Sequence, residues 1–134
     1  MRTERNESLP IQSDDDIVKV RHRVRDWAVS LGFSLVDQTK LVTAASELAR
    51  NTLVYGQGGT LVLESVANEL RRGLRLTFED RGPGIVDIQL ALKDGYTTGN
   101  GLGLGLSGAR RLAHDFDIQS KPGEGTRVVI ARWK

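Results

Sequence analysis

The residues with the clearest chemical potential lie in four short motifs that follow one another along the chain. They are Glu47-Leu-Ala-Arg-Asn51, Asp80-Arg-Gly-Pro-Gly84, Gly101-Leu-Gly-Leu-Gly105 and Gly123-Glu-Gly-Thr126. Together they offer an amide beside a carboxylate, a second carboxylate near two glycines, and two glycine-rich turns. A nucleotide site needs such groups for its metal, its base and its phosphates. No Gly-x-x-x-x-Gly-Lys-Ser/Thr sequence occurs, so a P-loop is excluded.

Glu47 and Asn51 are four residues apart on a predicted helix, so their side chains share one face. The amide oxygen of Asn51 is a hard ligand that suits a Mg²⁺ ion bridging phosphates. The carboxylate of Glu47 could accept a proton from an attacking hydroxyl or water. The alternative is an ordinary solvated helix face, where both residue types are common, and the pair alone favours that alternative.

Asp80 continues the apolar side of a predicted strand, because it shares its parity with three core residues, Leu74, Leu76 and Phe78. A carboxylate there needs a partner, since burying it unpaired is costly. The amino group of adenine could provide one, together with a ring nitrogen reached through a water. Gly82 and Gly84 lack side chains and would let the backbone approach a flat base. The alternative is an Asx turn at the end of the strand.

Gly101, Gly103 and Gly105 precede a predicted helix, and their amides and the helix's positive end suit phosphates. A structural glycine turn is the alternative. The sequence Gly103-Leu-Gly-Leu-Ser-Gly108 also matches the dinucleotide fingerprint, which requires a strand directly before it. Residues 94–100 are not strand-like, and the 26 residues after Gly108 are too few for the rest of a Rossmann half. We therefore reject the dinucleotide interpretation.

The last motif falls between two predicted strands, where a plain hairpin turn is the simplest explanation. In a functional interpretation, the Thr126 hydroxyl would bond to the base or to Asp80.

The elements that must position these motifs follow from periodicity and turn signals. Apolar spacing predicts a helix from Asp14 to Gly32, a second from the Ser34 cap to Tyr55, and a third over residues 102–114. A short helix is expected over residues 85–92. Strands are predicted at residues 8–12, 60–67, 74–79, 116–120 and 126–133. This pattern indicates a single α+β domain, residues 1–134, with helices on one face of a mixed, mostly antiparallel sheet.

The amino-acid composition limits the classes of ligand, partner and cellular location that we expect for the chain. Nineteen basic and seventeen acidic residues give a net charge of +2, which demands neither nucleic acid nor membrane. The absence of cysteine and the presence of only two histidines make a zinc site improbable. The first residues have no apolar core for a signal peptide, and no run approaches a membrane span. We expect a cytoplasmic protein, and nothing indicates its oligomeric state.

The ordered set Glu-x-x-x-Asn, Asp-x-Gly-x-Gly, Gly-x-Gly-x-Gly and Gly-x-Gly-Thr resembles the GHKL ATPase superfamily, which includes gyrase, Hsp90, histidine kinases and MutL. The resemblance spans residues 47–126 and implies a Bergerat-type ATP site closed by a lid at about residues 92–100. The chain is shorter than the gyrase, Hsp90 and MutL domains and lacks a dimerisation segment with a phosphoacceptor histidine. It closely resembles the RsbT-type serine/threonine kinases of the stressosome, through residues 36–51, 94–98 and 101–112 and the ending Arg132-Trp-Lys134.

This resemblance implies transfer of the ATP γ-phosphate to Ser or Thr of STAS-domain substrate or scaffold proteins, followed by release from them. The released chain would bind and activate a PPM-type phosphatase. By the same resemblance Glu47 is the base, Asn51 the Mg²⁺ ligand and Asp80 the reader of adenine. The other nucleotide contacts carried over by position are Gly82, Gly84, Ile85, Thr98, Gly99, Gly101, Leu102, Gly103, Leu104, Gly105 and Thr126.

Two other functions remain open at this point. One is a nucleotide-gated binding module with little catalysis, such as an anti-sigma factor, because the same fold and motifs would serve it. The other is a stand-alone ATPase in which Glu47 activates water.

Overall fold

A five-stranded antiparallel sheet forms one layer of the molecule. The computed structural model describes residues 2–85, 87–92 and 102–134. Its strands are β1 (Arg2–Ile11), β2 (Gly59–Ala67), β3 (Arg72–Asp80), β4 (Asp115–Lys121) and β5 (Gly125–Trp133). Their spatial order is β1-β2-β3-β5-β4, and each of the four described pairings is antiparallel. The predicted strands are therefore confirmed, and β1 is longer than residues 8–12.

The helices form the second layer. They are α1 (Asp14–Ser30), α2 (Leu35–Val54), the single-turn α3 (Ile88–Ala91) and α4 (Leu102–Leu112). Ser13 caps α1 and Ser34 caps α2, each accepting a hydrogen bond from the backbone N–H three residues on. The cap predicted at Ser34 is confirmed. The predicted helix over residues 85–92 is shorter in the structure, where it is the single turn Ile88–Ala91, and Ile85 lies outside it with its N–H bonded to the Ser120 hydroxyl.

The core lies between these layers. Leu74, Leu76 and Phe78 of β3 are fully buried, as their shared parity predicts. α1, α2 and α4 each pack an apolar stripe against these strand residues. The largest fully buried side chains of the three stripes are Val20, Trp27, Leu41, Leu48 and Leu106. α2 packs against both α1 and α4, so it is the central helix of its layer.

The opposite face of the sheet has a different character. There Arg75 pairs with Glu64 through two nitrogens, and Arg127 pairs with Glu79. The ring of Trp133 lies so close to Gly73 that an added Cβ would come within 2.9 Å of it. Within the described ranges, none of the helices combines the length and apolar character required for crossing a membrane.

Candidate active site

A pocket opens between α2, α4 and the adjoining ends of β3 and β5. Its polar wall is formed by Asn51, Asp80 and Thr126, which are distant in sequence. Its apolar wall is formed by Leu48, Phe78, Ile85, Leu106 and Val128, with Thr52, Tyr55, Gly56 and Gly84 completing the lining. Residues predicted from three separate motifs therefore meet in one place.

Asn51 lies three residues before Val54, the last residue of α2, and faces this pocket. Its side-chain nitrogen is buried and has no hydrogen-bond partner among the described residues. Buried polar groups in proteins are normally paired, so an unpaired amide in a pocket wall has bonding capacity left for a ligand. The unpaired nitrogen is a donor, which suits a phosphate oxygen, whereas the predicted role of Mg²⁺ ligand belongs to the amide oxygen and stays a prediction.

Asp80 is partly buried at the end of β3. Its Oδ1 accepts a 2.9 Å hydrogen bond from the backbone N–H of Gly82, which is the Asx turn considered above. Burial raises the pKa of Asp80, and hydrogen bonds from the backbone N–H groups of Gly82 and Thr126 offset this only in part. The carboxyl group therefore makes the structural turn and lines the pocket as well.

The glycines near Asp80 are required by close approaches of the chain to itself. A Cβ on Gly56 would overlap the carboxyl group of Asp80, and one on Gly125 would overlap its carbonyl oxygen. A Cβ on Gly82 would come within 2.7 Å of Gly56, and one on Gly84 would overlap the Lys121 carbonyl. Packing thus accounts for glycine at each position. The contacts of Gly82 and Gly84 with a base stay predictions.

In the sequence, Gly56 is the residue directly after Tyr55, where the second predicted helix ends. Its role in making room for the carboxylate of Asp80 depends on a contact across 24 positions of the chain. Local sequence patterns carry no signal of that contact.

Ser120 is a further residue that the sequence analysis missed. Its Oγ accepts a 2.8 Å hydrogen bond from the N–H of Ile85 and lies 3.0 Å from the Gly125 carbonyl oxygen. It also lies 2.8 Å from the Thr126 hydroxyl, with which it shares a hydrogen bond. Ser120 and Thr126 face each other across β4 and β5, so the predicted pairing of these strands could have revealed the contact.

Thr126 differs in detail from its predicted contacts. Its hydroxyl bonds to Ser120, and its backbone N–H is what favours the charged form of Asp80. Thr126 lines the pocket, and a contact of its hydroxyl with a base remains a prediction.

Glu47 is exposed on α2, one turn before Asn51, and is not part of the pocket lining. Leu102, Gly103, Leu104 and Gly105 belong to the start of α4, as the helix predicted over residues 102–114 requires, so Gly103 and Gly105 lie within the helix and do not precede it. Thr98, Gly99 and Gly101 lie outside the described residues, as does most of the segment expected to act as a lid.

The sequence has recognisable relatives. Residues 36–134 match the family described as histidine kinase-, DNA gyrase B- and HSP90-like ATPase. The chain is 44% identical to the serine/threonine-protein kinase RsbT of Bacillus subtilis (strain 168), over 92% of each chain. It is 28% identical to an anti-sigma F factor of Halalkalibacterium halodurans, covering 98% of this chain and 93% of that one.

Solved structures share the fold. The RsbU and RsbW domains of Rv1364c from Mycobacterium tuberculosis match with a TM-score of 0.67 and 19% identity, over 98% of this chain and 33% of that one. The SiaB–SiaC complex from Pseudomonas aeruginosa matches with a TM-score of 0.55 and 15% identity, over 99% and 91%. The chain therefore belongs to the histidine kinase-, DNA gyrase B- and HSP90-like ATPase family, and within it to the RsbT-type serine/threonine kinases.

Proposed function

We propose that this kinase uses Mg·ATP to phosphorylate Ser or Thr of STAS-domain proteins in the cytoplasm and thereby changes its binding partner. The observation that carries the proposal is the pocket wall in which the unpaired Asn51 amide and the partly buried Asp80 carboxyl lie together. Both groups have hydrogen-bonding capacity that the described protein leaves unused.

The two groups fit different parts of the nucleotide. The amide oxygen of Asn51 would be a ligand of Mg²⁺, which binds through few protein groups and through phosphates. Asp80 would accept a hydrogen bond from the adenine amino group. When bound, Mg·ATP supplies the transferable phosphoryl group and the cation that neutralises its charge.

Glu47 suits the remaining task because it is exposed rather than enclosed. A protein hydroxyl must reach the γ-phosphate from outside, and an exposed carboxylate one turn from Asn51 can meet it there. The hydroxyl oxygen bonds to the γ-phosphorus, the bond from that phosphorus to the bridging oxygen of ADP breaks, and the hydroxyl proton passes to Glu47. Positioning and charge neutralisation supply most of the rate enhancement.

Similarity to relatives supports a partner-switching role. One relative is named a serine/threonine-protein kinase and another an anti-sigma factor, and a structural neighbour was solved as a complex of two proteins. We infer that phosphorylation of a STAS-domain partner releases the kinase. The released kinase would then bind and activate a PPM-type phosphatase.

The test measures the rate of phosphoryl transfer from radiolabelled Mg·ATP to a purified STAS-domain partner. It compares the Glu47→Ala variant with the parent chain. Loss of a general base should lower the transfer rate by about 10²–10⁴-fold. ATP affinity should stay close to that of the parent chain, because Glu47 is outside the pocket lining. Glu69→Ala, an exposed glutamate in the turn between β2 and β3, is the matched control. Undiminished transfer by Glu47→Ala would exclude Glu47 as the base.

A second function, the nucleotide-gated binding module, is favoured by the similarity to anti-sigma F factors. It predicts partner binding that depends on nucleotide without transfer of label. Phosphate release in the absence of any acceptor protein would indicate a stand-alone ATPase instead.

A further inference from the structure

Arg132 is a charged side chain on the helix-facing side of the sheet. It pairs with Leu74 across β5 and β3, and Leu74 belongs to the buried face. Its side chain is only 11% exposed. One guanidinium nitrogen donates a 2.8 Å hydrogen bond to the carbonyl oxygen of Leu112, and another donates a 2.8 Å hydrogen bond to Oδ1 of Asp37.

These two acceptors belong to the ends of different helices. Leu112 is the last residue of α4, where backbone carbonyls have no partner within the helix. Asp37 lies in the first turn of α2, and its own N–H is bonded to the capping Ser34. A cation at a helix C-terminus and an anion at a helix N-terminus are both favoured by the helix dipole. A single guanidinium therefore connects α4 to α2.

The bridge has the features of a positioning device more than of a source of stability. Nε of Arg132 is buried and finds no partner in the part of the chain that the structure describes, and the ion pair with Asp37 has lost much of its solvent. Removing such a pair from water offsets much of its attraction, so burial of an ion pair is weak evidence for stabilisation. Its two fixed bonds instead define how the helices sit against each other.

We propose that Arg132 is a positioning residue that holds α4 against α2 and so sets the affinity of the pocket for the phosphates of ATP. α2 carries Asn51, and α4 begins in the glycine-rich segment predicted to bind phosphates. Asp80 is on β3 and accepts a hydrogen bond from the N–H of Gly82, outside this bridge. This inference rests on the proposed ATP site, and it separates recognition of phosphates from recognition of the base.

The experiment compares binding of Mg·ATP and of adenosine by calorimetry in Arg132→Gln. Loosening α4 should weaken ATP binding by about tenfold, a modest coupling between sites. Adenosine affinity should change by less than about twofold, because Asp80, the proposed base contact, is on the sheet, and Leu106 is the one α4 residue that the described part of the chain adds to the pocket lining. The ratio of the two dissociation constants is informative because partial unfolding would weaken both ligands equally.

Arg75→Gln is the matched control. It removes a two-nitrogen ion pair with Glu64 whose side chains are 26% and 20% exposed, on the face of the sheet away from the helices. The ratio of its dissociation constants for ATP and adenosine should equal that of the parent chain. If Arg132→Gln does not fold, Asp37→Ala removes the ion pair between Arg132 and Asp37 by changing its more exposed partner. The ratio of the ATP and adenosine dissociation constants then tests the inference in that variant.

An unchanged ratio in the Arg132 or Asp37 variant would overturn the inference while leaving the proposed function intact. A parent chain that binds ATP no better than adenosine would overturn the proposed phosphate site, and this inference with it.

Discussion

The Asp80 side chain is subject to two opposed effects. Backbone N–H groups of Gly82 and Thr126 favour its charged form, whereas removal from water disfavours that form. Burial dominates and raises the pKa of the carboxyl group. A ligand that donates another hydrogen bond would shift the balance back toward the carboxylate. The adenine amino group is such a donor, so Asp80 should be more acidic with ATP bound than without it.

Asp80→Asn should bind ATP about 10–100-fold more weakly, because a charge-assisted hydrogen bond is lost from a partly buried site. The variant should keep its fold, since Asn can still accept the bond from Gly82. Calorimetric titrations with ATP would measure the loss. Unchanged affinity would remove Asp80 from the site.

The same group predicts a pH effect. Protonation of Asp80 has the same consequence as the Asn substitution, so ATP affinity should fall as pH decreases through its raised pKa. This fall should begin at a higher pH than for an ordinary aspartate. The difference between the parent chain and Asp80→Asn isolates the effect, because the phosphates of ATP titrate equally with both.

Single residues also show what the sequence could predict. Asn51 and Asp80 were predicted because helical spacing and strand parity are local patterns, and the structure places both in one pocket. Ser120 could not be recognised as easily, because its bond to Ile85 joins residues 35 apart. Serine is also common in strands and loops, so its type alone indicates little.

At the scale of elements, the connection from α2 to β2 determines how closely the helix approaches Asp80. The chain leaves α2 at Tyr55 and turns through Gly56, Gln57 and Gly58, of which the last two have positive φ. Gly56 itself has an ordinary backbone conformation, so its requirement for glycine is one of space.

Gly56→Ala should therefore displace the Asp80 carboxyl group, with which the new methyl would overlap, and weaken ATP binding about tenfold or more. Gly108→Ala is the control, because a Cβ there meets nothing within 4 Å in α4. That change should leave ATP affinity unaltered and raise the free energy of unfolding by about 0.5–1 kcal/mol. Urea midpoints and calorimetry measure the two quantities. Equal ATP affinities in both variants would contradict the role given to Gly56.

The helices and strands also show which parts of the fold local sequence patterns can predict and which they cannot. Ser34 predicted the start of α2 correctly, because few residue types can accept a hydrogen bond at the N-cap of a helix. The first part of β1 had no such signal, since Thr3 to Glu7 are all polar and do not alternate with apolar residues. That part becomes a strand through pairing with β2 and through the bonds of Glu7 to α1, neither of which is local.

At the scale of the whole molecule, three partly buried carboxylates join segments that are distant in sequence. Glu7 binds Arg23 and Trp27 and attaches β1 to α1. Glu64 binds Arg75 between β2 and β3, and Asp37 binds Arg132 between α2 and β5. A hydrogen-bonded arginine lowers the pKa of each carboxylate below its ordinary value, 4.5 for the glutamates and 3.8 for Asp37.

These directions fix the response of the fold to acid. A carboxylate with a lowered pKa binds fewer protons in the folded state than in the unfolded chain, so it stabilises the fold above its ordinary pKa. That contribution is lost as pH falls from about 4.5 through the lowered pKa values of the three groups. Asp80 has a raised pKa and acts in the opposite direction, so its charge opposes folding at neutral pH.

We therefore expect the free energy of unfolding, from urea titrations between pH 6 and pH 3, to decrease steeply below about pH 4.5. Glu7→Gln should make this decrease shallower, because one group that releases a proton on folding is gone. Asp80→Asn should make the free energy of unfolding rise more steeply with pH, because the opposing group is gone. Parallel curves for the parent chain and both variants would show that neither carboxylate changes its pKa on folding. A difference of opposite sign in the two variants is expected only if burial raises the pKa of one carboxylate while an arginine lowers that of the other.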